Sequence, residues 1–192
     1  MKKVLVVALV VMLGVASLAV VGCGGDTDQA KEYMVAADAA NDVLTVASDK
    51  LDKSTEAIIG AAISGDLSAV DATVVATVGS DIEALIAECD QVKEMYKNIT
   101  SLEGVEDYVD YANNMIEYLT AQKATLSAGL EIFKQLSPAI QTWAETGDSS
   151  ALTAAMGEAG PALEGLAELQ KKADALFKSA VKIKVDKLQE VN

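Results

Sequence analysis

Apolar positions recur at helical spacing over four long stretches of this chain. In the first, from about Asp28 to Ser64, Ala37, Leu44, Leu51 and Ile58 repeat every seven residues, and Ala40, Ala47, Ser54 and Ala61 form a second row of small side chains. Two such rows make the buried face of a bundle helix. Small residues let a neighbour approach closely, or leave room for larger side chains opposite. Gly65 suits the left-handed position past a helix end, and Asp66 or Ser68 is placed to cap a second helix. The seam of that helix is Val75, Val78, Ile82, Leu85, Cys89, Val92, Tyr96 and Ile99, with Gly79 as a point of bending. Thr100 and Glu103 have capping-box spacing, so the third helix is expected to open at Thr100 and run to about Thr146. Its seam is Val105, Ala112, Leu119, Leu126, Phe133 and Ile140, with Val109, Ile116 and Leu130 alongside. Pro138 should kink it, with Ser137 as a local cap. A fourth helix follows to about Leu188, interrupted at Gly160-Pro161, with Leu163, Leu166, Leu169, Ala173, Leu176, Ala180 and Ile183 inward.

The turns belong to a longer repeat. Gly65-Asp66 and Ser68-Ala69-Val70 match Gly147-Asp148 and Ser150-Ala151-Leu152; further on, Gly79, Ile82, Glu83, Leu85 and Tyr96 match Gly160, Leu163, Glu164, Leu166 and Phe177. The pattern reads as a duplicated helical hairpin. Two hairpins with short connections predict an all-α, up-down-up-down four-helix bundle, with helices of about 35 residues and a length of roughly 50 Å.

Ahead of the first helix the pattern changes. Lys2 and Lys3 precede an uncharged, largely apolar run from Val4 to Val21, which ends at Gly22-Cys23. Charged start, apolar core and small residue are the parts of a secretory signal, and Val20-Val21-Gly22-Cys23 resembles the lipobox of bacterial lipoprotein signal peptides. The resemblance implies cleavage before Cys23, a diacylglyceryl group on its sulfur and acylation of the new amino terminus. It divides the chain into a signal peptide (1–22), a lipidated Cys23 with a short linker (23–28) and the bundle (29–192). Two or three acyl chains anchor stably where one would not. Taken as plain hydropathy, the same run is nearly long enough to cross a bilayer uncleaved. Either way the bundle is held at its amino end outside the cytoplasm, on the cell membrane or the outer membrane, facing periplasm or exterior. The linker reaches under ~20 Å. An up-down bundle then puts the Thr100 turn and the carboxyl terminus near the membrane and the two Gly-Asp turns at the far tip.

Charge narrows the partners. All fifteen basic residues are Lys, against 29 Asp plus Glu, and there is no His. The net charge of −14 becomes −16 once Lys2 and Lys3 leave with the signal. So acidic a chain repels nucleic acid. Without His the commonest general base and metal ligand is missing, and without Arg the usual phosphate and carboxylate clamp. No Gly-rich phosphate loop or nucleophile elbow is present. The expectation is a protein that is not an enzyme, with no catalytic residues, no metal site and no cofactor beyond the lipid on Cys23. Cys89 lacks an intramolecular partner, falls inside the second seam, and reads as a buried, inert thiol.

Three surface features remain. Asp38, Asp42, Asp49, Asp52 and Glu56 lie in one arc of the first helix, a solvated face and the best surface for a basic protein partner in the envelope. Asp66, Glu145 and Asp148 gather at the far tip, where capping accounts for them and a cation or cationic partner is the rival. Six lysines of the last helix, Lys171 to Lys187, sit level with Glu103, Glu106, Asp107 and Asp110, and internal pairing is favoured over contact with anionic headgroups. Tyr33, Tyr96, Tyr108 and Tyr111 fall in the membrane-proximal half, as core filling or as the wall of a small-molecule pocket beside the small row of the first helix. The functional expectation is a lipid-anchored binding or protein-interaction module. The alternatives are a small-molecule or cation-binding lipoprotein and a self-associating rod. A cavity lined by Tyr108, Tyr111 and alanines of the first helix would favour the ligand; a filled interior would leave only surfaces.

Overall fold

The computed structural model describes residues 26–64 and 72–188. They form four helices: α1 (Asp26–Ser64), α2 (Ala72–Thr100), α3 (Glu106–Thr146) and α4 (Ser150–Lys187). With no strand among the described residues, the fold is the expected all-α four-helix bundle. The lipobox and the Gly65–Asp71 turn lie outside the described residues. At 39 and 38 residues α1 and α4 slightly exceed the expected length, α2 at 29 falls short of it, and the 41 residues of α3 span about 60 Å at 1.5 Å each. Asp26 and Asp28, expected in the linker, belong to the first turn of α1, where carboxylates complement the helix dipole.

Sequence neighbours are spatial neighbours. α1 packs on α2, α2 on α3 and α3 on α4, whereas α1 meets α3 at few points and does not pack backbone to backbone on α4. The two middle helices are therefore covered from two sides. All eight expected seam residues of α2 are buried. α3 buries Ala112, Leu119, Leu130 and Ile140 as expected, and also Tyr111, Met115, Thr125, Ile132 and Trp143.

α4 differs from expectation. Its buried residues are Leu152, Ala159, Ala173 and Ala180. Leu166, Leu169, Leu176 and Ile183 are only half-buried, and Leu163 is exposed. The reason is geometric: α3 is the one helix closely packed on α4, and alanines at heptad spacing let it lie close. Phe177 shows the same asymmetry. Its repeat counterpart Tyr96 is fully buried between two helices, while Phe177 is 38% exposed.

The α2–α3 turn also departs from the capping-box reading. The Thr100 hydroxyl donates backwards to the Lys97 carbonyl at 2.8 Å, closing α2 rather than opening α3. Gly104 takes φ +71, so helical backbone resumes only past it, with Val105 at the N-cap and no side-chain cap. At the other turn Gly147 takes φ +73 and its N–H donates to the Trp143 carbonyl at 2.8 Å, a left-handed helix end. Neither proline stops its helix: α3 continues through Pro138, and α4 through Pro161 without the expected break. The carbonyls four residues back, whose bond each proline removes, belong to Lys134 and Gly157, both exposed residues.

Gly79 serves packing. A Cβ there would stand 3.3 Å from Cε1 of Phe133, so its absence lets the α3 ring lie against α2. Gly165, exposed inside α4, has nothing within 4 Å of such a Cβ. Gly165→Ala should raise stability by about 0.5–1 kcal/mol in urea melts, because alanine loses less backbone entropy. Gly147→Ala, at positive φ, should lower it by about 1–2 kcal/mol.

Candidate functional site: a groove between α1 and α4

The antiparallel order brings early α1, late α2, early α3 and late α4 to one end of the bundle. Asp38 of α1 is the point where they meet. Tyr96 Oη donates to Asp38 Oδ1 at 2.5 Å and Tyr111 Oη to the same oxygen at 2.7 Å. Lys184 Nζ donates to Oδ2 at 2.8 Å. The two tyrosine rings meet edge to face with centroids 6.0 Å apart. One carboxylate thus takes donors from three helices, and charge on the acceptor strengthens each bond. Burial above all, with the neighbouring Asp38 charge adding, pushes both phenols well above their ordinary range, so they remain donors.

Asp38 therefore does not belong to the solvated stripe in which the sequence pattern placed it. Its side chain is 17% exposed and its partner Lys184 15%. It stands one turn before Asp42, on the flank of α1 nearer the core. Asp42, Asp49, Asp52 and Glu56 are exposed, as a solvated face requires. Partial burial, and then the charges of Asp49 and Glu56, raise the Asp52 carboxyl above its usual range.

Beside this cluster α1 and α4 stand apart and leave a groove of about 430 Å³. Met34, Val35, Asp38, Ala39, Asn41 and Asp42 line it from α1, Tyr111 and Met115 from α3, and Phe177, Val181, Lys184 and Val185 from α4. Its apolar walls are open to solvent: Val35 is 53% exposed, Val185 47% and Val181 41%. Asn41 is the opposite case. It is only 4% exposed, and its Oδ1 has no hydrogen-bond partner in the protein. Ser48 Oγ, one heptad further along α1, is also without a partner.

Of the four tyrosines singled out in the sequence, the structure joins Tyr96 and Tyr111 on Asp38, and only Tyr111 reaches the groove. Tyr33 accepts a bond from Gln29 near the start of α1, and Tyr108 is half-buried. At the tip, Glu145 and Asp148 are exposed, and Asp66 lies outside the described residues. Asp148 Oδ1 accepts from Ser150 N–H at 2.9 Å and Ser150 Oγ at 2.6 Å, which holds its carboxyl below the usual range and caps the α3–α4 turn. Among the described residues no three Asp, Glu or Cys side chains converge as a metal site would require. Lys187 bridges Asp107 at 3.1 Å and Asp110 at 2.8 Å, the internal pairing expected of the last helix. Lys184 instead finds Asp38 across the groove.

Cys89 is 1% exposed. Burial, then the charges of Asp90 and Glu88, pushes its thiol from 9.0 up to about 12. That shift leaves about a thousandfold less thiolate near neutral pH, and the thiolate is the reactive form. Labelling of native protein by a maleimide should follow the unfolding rate, whereas labelling at the rate of free cysteine would contradict the buried placement.

The chain matches no known family model, no curated protein and no solved structure. No helix among the described residues is long and apolar enough to cross a membrane.

Proposed function

We propose that this chain is a lipid-anchored binding module of the cell envelope, and that it holds a small ligand in the groove between α1 and α4. The observation that carries the ligand is the unfilled, solvent-open groove with a buried, unpartnered amide oxygen at its wall. A buried acceptor left unpaired costs about 1–3 kcal/mol, and binding sites are where such a cost is retained. The lipobox-like Val20-Val21-Gly22-Cys23 supports the anchor. The reading is non-catalytic: the chain has neither His nor Arg, and its one thiol in the bundle is buried with a raised pKa.

Two experiments test the two halves. Mass spectrometry of the chain from its host should find diacylated Cys23 at the amino terminus, and Cys23→Ala should release it from the membrane fraction or leave the signal uncut. An intact Met1 would refute lipidation. Native mass spectrometry of the chain isolated from membranes should show a small molecule that is lost in Val181→Trp, which fills the groove. Identical spectra for the two proteins, with no added mass, would refute the ligand.

A further inference from the structure

The groove also constrains the chemistry of what it holds; this inference rests on the proposed binding role. Its polar groups are not equivalent. The one cation on its wall, Lys184, is already paired with Asp38 Oδ2 at 2.8 Å. Asp38 Oδ1 is filled by the two tyrosine hydroxyls. Two acceptors are left: the unpartnered Asn41 Oδ1 and, on the next residue, the exposed carboxylate of Asp42. An anionic head entering the groove meets a Lys184 charge already balanced by Asp38, the Asp42 carboxylate beside it and the field of a strongly acidic chain. A donor finds two acceptors on consecutive residues of α1, one buried and one exposed, both of which line the groove. Across from them, Val181 and Val185 of α4 and Val35 of α1 offer open apolar surface to the body of the ligand.

We infer that the groove takes a small amphiphilic amine. Its protonated nitrogen donates to Asn41 Oδ1 and pairs with Asp42, while its hydrocarbon lies against Val35, Val181 and Val185. Asn41 then acts as a recognition residue that costs the empty protein stability. A structural polar residue behaves differently, because removing it costs stability whatever the ligand.

The test uses the full chain in lipid nanodiscs, with empty nanodiscs as reference and methyl NMR of the groove valines as readout. The probes are hexylammonium, hexanol and hexanoate, equal in chain length and different in head group. Hexylammonium should shift the Val181 and Val185 methyls at concentrations at least tenfold lower than either of the others. Asn41→Leu should weaken that binding at least tenfold while melting no lower than the parent, and Asp42→Asn should weaken it without changing the melting temperature. Val181→Trp, on an exposed position, should abolish the response of the Val185 methyls to all three probes. Equal responses to the three probes would overturn the amine assignment and leave the groove as a binding site. No methyl response to any of them would overturn both. A melting temperature lowered in Asn41→Leu with hexylammonium binding intact would make Asn41 structural and overturn its recognition role.

Discussion

Asp38→Ala is expected to destabilise the bundle by about 3 kcal/mol. The substitution removes the acceptor for Tyr96, Tyr111 and Lys184 together. Breaking a buried ion pair costs about 3–5 kcal/mol because a charge is left behind, and an orphaned hydroxyl adds about 1–3 kcal/mol. Two effects reduce that sum. Lys184 is 15% exposed and can turn toward water in the groove, and removing the carboxylate abolishes its own desolvation cost. For a chain of this size the result is a melting temperature lower by roughly 6–12 °C. Asp38→Asn keeps one acceptor oxygen for the tyrosines but loses the charge and the acceptor of Lys184, so about half the effect should remain. Urea denaturation measures both. A change under about 0.5 kcal/mol in Asp38→Ala would mean that the cluster does not hold the helices together.

Leu119→Ala is the second large effect, with an expected loss of about 3 kcal/mol. Leu119 lies in the middle of α3, fully buried within the main core cluster. Deleting three carbons removes their transfer free energy and leaves a cavity that the helices, covered on both sides there, close only in part; such substitutions cost about 2–5 kcal/mol. Leu163→Ala provides the contrast. Leu163 is 40% exposed on α4, and less than about 1 kcal/mol should be lost. Equal losses at the two sites would indicate that α4 is as deeply packed as α3, contrary to the arrangement described above.

The contrast between these two leucines also marks what the amino-acid pattern could convey. Heptad spacing identifies which side of a helix is apolar. It found every seam position of α2, a helix with neighbours on two sides, and Leu119 on α3. It does not reveal how many neighbours a helix has, so the leucines of α4 were assigned a deeper burial than they have. The capping box at Thr100 failed for a local reason. Its spacing is right, but Gly104 takes the left-handed conformation and the hydroxyl bonds backwards to Lys97.

The candidate site was partly legible. The tyrosine-rich end was visible, and two of its four tyrosines do converge. Asp38 was grouped with the acidic stripe because it shares the arc of Asp42 and Asp52; a position at the edge of an arc belongs to solvent or core according to what stands opposite, here Tyr96 and Tyr111. Asn41 falls outside the heptad rows of the seam, although the sequence carries a signal for it. It follows Met34 by seven residues in a row that points inward, so an amide stands where the pattern asks for an apolar side chain. By spacing Lys184 belongs with the lysines facing α3; it reaches α1 because its long side chain spans the groove to Asp38.

The open seam between α1 and α4 is the central claim, and solvent contact of the valine methyls tests it most directly. With methyl-labelled full chain in lipid nanodiscs and a soluble paramagnetic agent in the water, the methyls of Val35, Val181 and Val185 should broaden strongly, while Val75 and Val78, at most 2% exposed, should stay sharp. Val181 and Val185 as sharp as Val75 would mean that α1 and α4 close on each other, and that the groove, with the function proposed for it, does not exist.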